Sequence, residues 1–389
     1  MRVTHIITRL VIGGAQENTV ATVLGLRQKA GVEINLISGP TTGPEGSLES
    51  EFAGTPEILT VVPELVRPIH PLKDFLALQK LTQILREQKP HIVHTHSGKA
   101  GILGRLAARR AGVPVVIHHI HGPSFGAFQN SFNNFIFATA ERHAAKVTTH
   151  FICSAQAMTR IYLAAGIGKP QMFTRIFSGF QLEPFLEAKN DLALREKLGI
   201  SANAFVIGKI ARLFKLKGHD DLLAAFQKIL PQIPRARLLL VGDGSLRPHL
   251  ENRVREMNLT DKIIFTGLVP PNEVPRCVGI MDCLAHLSSR EALSRALPQA
   301  LAAAKPVVAY DFDGADEICL TGETGFLVRT GDVATVAQKL LQLANDPALR
   351  EKLGRSGSDF VRENFSVGQM VDSIYNLYLK LAAERGLRL

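Results

Sequence analysis

Ser289-Arg290-Glu291-Ala292-Leu293-Ser294-Arg295-Ala296-Leu297-Pro298-Gln299 is the most informative stretch of this chain, together with the run that continues to Tyr310. A polar segment carrying one carboxylate passes into an apolar helical pattern. Lys305-Pro306 then leads to Val307-Val308-Ala309-Tyr310, the pattern of a buried strand. Pro298 fits within the first turn of that helix, where few backbone N–H bonds are lost. N–H groups from Leu293 and Ser294 to Leu297 are thereby left to point out of the helix start. Such a tip attracts anions, because unpaired N–H groups and the helix dipole both favour negative charge. Glu291 lies just outside the tip, where a carboxylate repels phosphate and suits hydroxyl groups instead. The pattern describes a site for a sugar joined to a phosphate. The plainer alternative is an ordinary helix-to-strand connection in a doubly wound sheet.

Working outward, the same strand–turn–helix alternation fills the chain. Its 389 residues, 46% of them hydrophobic, are enough for two cores, and 21% charged residues argue against a long disordered region. No run reaches the ~20 apolar residues that span a bilayer. Met1 to Thr8 reads as a first strand rather than a signal peptide. Cys153, Cys277, Cys283 and Cys319 form no Cys-x-x-Cys pair and sit in apolar segments, as expected of reduced core thiols in a cytoplasmic protein. The net charge of +10 is uneven: residues 1–184 carry 18 Lys+Arg against 11 Asp+Glu, and the remainder 27 against 24. A basic first half suits a phosphorylated substrate, an anionic membrane or nucleic acid. No nucleic-acid motif accompanies the scattered charges, so a nucleic-acid partner is not expected.

Upstream, Gly13-Gly14 stands at a strand-to-helix turn, where backbone can approach a ligand; a tight turn is the alternative. Residues 39–47 are a turn-rich loop. His91 to His96 is a strand followed by a helical segment, and Val113 to Ile120 is the next strand, with His121-Gly122 at its carboxyl end. Phe151 to Ser154 is the last strand expected in the first half. Ala204 to Ala211 is a buried strand that runs into Arg212-Leu213-Phe214-Lys215-Leu216-Lys217-Gly218. Gly242-Asp243-Gly244 and Leu268-Val269-Pro270 each follow later strands.

These segments, in this order, resemble the retaining GT-B glycosyltransferases of family 4, the group 1 type. Glu291 to Gln299 is similar to that family's Glu-x7-Glu motif, with Ala292 at a usual Gly and Gln299 at the second Glu. Arg212 to Gly218 is similar to its R-x-x-x-x-K-G signature, His94-Thr95-His96 to its H-x-H segment, and Ile176 to Phe185 to its interdomain linker. The resemblance implies an α/β fold of two doubly wound Rossmann-like domains facing across a cleft. Residues 1–185 would form the acceptor side, residues 186–365 would bind the nucleotide sugar, and residues 366–389 would form a helix crossing back to the first domain. It further implies that Arg212 and Lys217 clamp the donor diphosphate, with Gly13, Gly14 and the backbone of Leu293 and Ser294 admitting the phosphates. Glu291 would grip the sugar hydroxyls and His121 would serve the reacting centre. Gln299 would reach the ribose, where a neutral amide offers fewer acceptor sites than a carboxylate. Leu268 and Val269 would meet the nucleobase.

The expected reaction is transfer from a nucleoside diphosphate sugar, UDP- or GDP-linked, to an acceptor hydroxyl of a glycan or glycolipid in cell-surface polysaccharide synthesis. Retention is implied, with no cofactor and no metal. Two other classes stay open: a nucleoside diphosphate sugar epimerase, and a non-catalytic sugar-nucleotide-binding protein. Histidine density invites a metal reading, since eight of 13 histidines lie between His91 and His150. His94 and His96 share a strand face, and His118 and His121 end the neighbouring strand. No acidic ligand accompanies them. Phe125, Phe128, Phe132 and Phe135 recur at helical spacing. They describe either a helix packed on its own domain or an acceptor-side element touching the inner face of an anionic membrane.

Overall fold

The computed structural model describes residues 1–42, 46–126 and 129–387. The chain divides into two compact units, Met1–Phe180 with Val367–Leu389, and Gln181–Ser366. The first unit ends a few residues before position 185, because the helix Glu183–Leu186 packs on the helices Val274–Gly279 and Ala296–Ala302 of the second.

The first unit is a parallel sheet of seven strands: β1 (Arg2–Ile7), β2 (Glu33–Ser38), β3 (Leu59–Val61), β4 (Ile92–His96), β5 (Val115–Ile120), β6 (His150–Cys153) and β7 (Phe173–Arg175). Their spatial order is β3-β2-β1-β4-β5-β6-β7. Helices cover both faces, which is why β1, β4 and β5 are buried almost end to end rather than on alternate residues. On one face Val3, Ile7, Ile92 and Ile117 pack against Val23 and Leu26 of the helix Gly14–Arg27 and against Ile374 and Tyr378 of the C-terminal helix Val367–Glu384. On the other, Ile6, Val93 and Val116 meet Leu81 and Leu85 of the helix Pro71–Gln88 and Ala107 of the helix Gly98–Ala111. Strand β7 is an addition to the expected set. Three residues at a sheet edge, half-buried at Phe173 and Thr174, carry no apolar run to announce them.

The second unit repeats the plan with β8 (Phe205–Ile210), β9 (Ala236–Val241), β10 (Ile263–Gly267), β11 (Cys283–His286), β12 (Val307–Asp311) and β13 (Gly325–Arg329), ordered β10-β9-β8-β11-β12-β13. Both units are Rossmann-like α/β domains, each with a switch point beside its first strand where neighbouring crossovers leave in opposite directions.

Two local expectations change. The helix expected from Asp74 begins at Pro71, because proline suits the first helical position and the His70 ring accepts the Lys73 N–H at 3.3 Å. The aromatic stripe is broken: Phe125 is buried in the loop before the helix Ser131–Ala145, and Phe128 lies outside the described residues, as do positions 43–45 of the turn-rich loop. Phe132 and Phe135 are on the helix, and both are exposed. That helix is tied down by a buried ion pair, Glu141 Oε2 to Arg105 at 2.6 Å, with Arg105 also donating to the Gly101 carbonyl.

Candidate functional site

In the second unit, loops at the carboxyl ends of β8 and β11 meet through one glycine. Gly218 has φ +66°, and a Cβ there would lie 1.9 Å from the Leu287 carbonyl oxygen. Only glycine permits that approach. The preceding Leu216 also holds a left-handed backbone, φ +68°, which costs about 1–2 kcal/mol. Its carbonyl is secured by the Ser289 N–H at 2.9 Å and the Ser288 hydroxyl at 3.1 Å. This stitching delivers Lys217 to Glu291: the ammonium pairs with Oε1 of Glu291 and lies 3.4 Å from the Arg290 carbonyl.

Around that pair stand groups that sequence reasoning did not single out. The Glu291 N–H donates to Asp313 at 2.9 Å, and burial raises the Asp313 pKa. His286 Nε2 lies 3.9 Å from Glu291 Oε1, and burial holds the imidazole neutral. Lys209 on β8 is 1% exposed, and burial, reinforced by the Lys217 charge, brings its pKa down to about 7. Its one sequence signal is a lysine in the middle of an apolar strand. A small recess is bounded by His286, Ser288, Glu291 and Ser294.

The remaining candidates of this unit lie on the same loops or on neighbouring ones. Arg212 is exposed at the end of β8, with its guanidinium 5.0 Å from the Phe214 ring centre. Leu293 and Ser294 precede a helix that begins only at Ala296 and ends at Ala302, so Pro298 is in its first turn. Ser294 is buried, and its hydroxyl is 3.5 Å from His286 Nδ1. Gln299 is half-buried on that helix. Leu268 is 77% exposed and Val269 half-buried in the loop after β10. The structure thus brings Lys217, Glu291 and Ser294 together around His286.

The first unit holds Gly13, Gly14 and His121. Gly13 caps the helix Gly14–Arg27, its carbonyl accepting the Glu17 N–H at 2.9 Å. Its φ of 171° is extended, so the position does not demand glycine on conformational grounds. His121, just past β5, bonds through Nε2 to His96 Nδ1 at 3.0 Å and stacks on His119 at 4.1 Å between ring centres. The histidine pairing differs from expectation. His119, not His118, shares the face of His94, His96 and His121, because side chains alternate along a strand. His118 points the other way, to Thr95 Oγ1 at 3.0 Å. His5 of β1 joins the cluster. Ring nitrogens of His5, His94 and His96, and of His96, His119 and His121, come within 4.8 Å of one another, a spacing a metal could use. In this structure both nitrogens of His5 and of His96 are bonded to neighbouring rings or to Tyr378.

Comparison with known proteins covers nearly the whole chain. Residues 190–360 match the family described as glycosyl transferases group 1, and residues 13–174 match the glycosyl transferase 4-like domain. An Escherichia coli protein named UDP-Gal:alpha-D-GlcNAc-diphosphoundecaprenol alpha-1,3-galactosyltransferase is 30% identical over 361 residues, which is 91% of this chain and 90% of that one. The Staphylococcus aureus capsular polysaccharide biosynthesis glycosyltransferase CapM is 28% identical over 334 residues, 83% of this chain and 86% of its own. In fold, the chain is similar to Anabaena HepE, crystallised with UDP, at TM-score 0.82 and 21% identity over 98% of this chain and 100% of that one. Sucrose-phosphate synthase from Thermosynechococcus elongatus gives TM-score 0.80 at 20% identity, over 98% and 99%.

Proposed function

The chain belongs to the group 1 glycosyl transferases, with the GT-B fold, and on that premise we propose that it transfers a sugar from UDP to a lipid-linked acceptor in cell-surface glycan synthesis. The transfer proceeds with retention at the anomeric carbon and without a metal. The observation that carries this reading is the Lys217–Glu291 pair at the carboxyl ends of β8 and β11. There a cation and a carboxylate share one recess, as a ligand with an anionic end and a hydroxyl-bearing end requires. UDP as the carrier is supported by the name of the E. coli relative and by the nucleotide in the HepE crystals.

In this mechanism the bond between the anomeric carbon and the diphosphate oxygen lengthens, and the departing nucleotide gains negative charge. Arg212 and Lys217 meet that charge, so they stabilise the transition state more than the bound donor. Backbone N–H groups of Leu293 and Ser294 contribute further donors, and Gly13 and Gly14 present bare backbone to the phosphates. Glu291 accepts from sugar hydroxyls and orients the ring, while Lys217 neutralises it in the free protein. Gln299 accepts from the ribose, and Leu268 and Val269 border the base. His121 stands beside the reacting carbon. The metal-free reading is supported by His5 and His96, each of which is bonded through both ring nitrogens to neighbouring rings or to Tyr378.

The acceptor side rests on the helix Ser131–Ala145. Phe132 and Phe135 are 73% and 66% exposed on one helical face, and Ile136 beside them is partly so. Such a face suits the surface of a bilayer carrying a lipid-linked acceptor. Among the described residues no helix is long and apolar enough to cross a membrane. The test is incubation with UDP- and GDP-sugars and a polyprenyl-diphosphate sugar in anionic vesicles, with chelator present. UDP release and a product whose anomeric proton matches the donor's configuration are expected. An inverted product, or turnover that stops with chelator, overturns this mechanism. Failure to sediment with the vesicles at low salt overturns the membrane contact.

A further inference from the structure

In the first unit four buried side chains extend one hydrogen-bonded chain from half-buried His121, and of its five members the reaction above uses only His121. It runs from His121 Nε2 to His96 Nδ1 at 3.0 Å, and from His96 Nε2 to His5 Nδ1 at 2.9 Å. His5 Nε2 then reaches the Tyr378 hydroxyl at 3.1 Å, and the same hydroxyl lies 2.5 Å from His94 Nδ1. His5, His94, His96 and Tyr378 are fully buried. Burial holds His5 and His121 down to pKa values of about 3 and His94 and His96 well below their usual range, so every ring is neutral at physiological pH.

A neutral imidazole has one N–H and one lone pair. Where both nitrogens are bonded, a ring that accepts on one side must donate on the other. His5 and His96 meet that condition, so the chain has two proton arrangements that satisfy all four bonds and also donate the buried Tyr378 hydroxyl proton. In one, Tyr378 donates to His94 and receives the His5 Nε2–H. His5 Nδ1 then accepts from His96 Nε2–H, His96 Nδ1 accepts from His121 Nε2–H, and His121 Nδ1 is left a bare lone pair. In the other, Tyr378 donates to His5, every bond reverses, and the His121 proton moves to Nδ1. The distances favour the first. Hydroxyl donors make shorter bonds than ring N–H donors. The 2.5 Å contact fits the hydroxyl's donation to His94, and the 3.1 Å contact fits the His5 N–H donating to the hydroxyl oxygen.

We propose that Tyr378, on the C-terminal helix, is a positioning residue that holds His121 in its Nε2–H tautomer through His5 and His96, leaving Nδ1 as a hydrogen-bond acceptor. This rests on the reading of His121 as a group beside the reacting carbon, and the test separates the two. Tyr378→Phe keeps the ring and its packing but removes both the donor to His94 and the acceptor for His5. Long-range proton–nitrogen correlation spectra of protein labelled with nitrogen-15 histidine report which ring nitrogen of His121 carries the proton. The Nε2–H form is expected in the parent and a mixture with Nδ1–H in Tyr378→Phe, with kcat reduced about tenfold and KM for the nucleotide sugar unchanged. A shifted tautomer with unchanged kcat keeps the relay and removes His121 from the reaction. A parent protein in the Nδ1–H form, or a tautomer indifferent to the substitution, overturns the proposal. Should Tyr378→Phe not fold, His5→Leu interrupts the same chain from β1, and the same redistribution is expected.

Discussion

Replacing Glu291 by alanine should separate stability from catalysis at this site. The carboxylate is 30% exposed and its partner Lys217 15%, so the pair is neither a surface bridge nor a fully buried one. Solvent screening leaves such a pair a net contribution of about 1 kcal/mol. The substitution also removes the carboxylate paired with Lys217, but leaves that ammonium beside the Arg290 carbonyl and in partial contact with water. For a chain of this size a 1 kcal/mol loss lowers Tm by about 2–4 °C. The catalytic cost is of a different order. Interactions that strengthen as charge develops are worth roughly 10²–10³ in kcat, or about 2.7–4 kcal/mol. Glu291→Ala should thus melt within a few degrees of the parent, yet lose about 100-fold or more in kcat/KM. The assay is UDP release from the nucleotide sugar with acceptor present, alongside calorimetric melting. Transfer retained within about threefold would refute the role of Glu291. A large Tm loss would instead mean that the pair is structural, and the fall in activity would then say nothing about chemistry. A second readout sits next door. Glu291 opposes the lowering of the Lys209 pKa, so its removal should push that lysine further toward the neutral form.

Gln299→Glu should tighten UDP binding several-fold by calorimetry, since a carboxylate accepts more bonds from a ribose than an amide does; weaker binding would count against the ribose contact. Glu141→Ala should destabilise the first unit by about 3–5 kcal/mol, because it strands the buried Arg105 guanidinium. An unchanged melting temperature would show the pair to be dispensable. The buried histidines predict acid sensitivity. Their folded pKa values lie below the unfolded value of about 6.5, so the unfolded chain binds more protons between those limits and stability falls as pH drops below about 6.5, down to about 3. His5→Leu should flatten the slope of Tm against pH over that window, and an unaltered slope would contradict this account.

Much of this protein is legible in its sequence because strands buried on both faces are rich in apolar residues, and close turns beside them carry glycine. That logic located β1, β4, β5, β8 and β12, the helix starting near Pro298, and the loop from Arg212 to Gly218. It did not reveal β7, since three residues at a sheet edge need no apolar run. It placed Phe125 with Phe132 and Phe135, because spacing cannot tell a helix from the loop before it. It chose His118 over His119, although strand alternation already put His119 and His121 on one side, two residues apart.

What the sequence determines alone is the alternation of buried strands and amphipathic helices, the glycines that let backbones approach, and the residue types that can meet a sugar nucleotide. Each depends on near neighbours and on a period of two or 3.6. Only the tertiary structure decides which distant groups face each other. Lys217 finds Glu291 across 74 positions because Gly218 closes on the Leu287 carbonyl. Tyr378 finds His5 across 373 because the last helix packs on the first sheet. Strand order and helix docking set those encounters, and no local pattern encodes them.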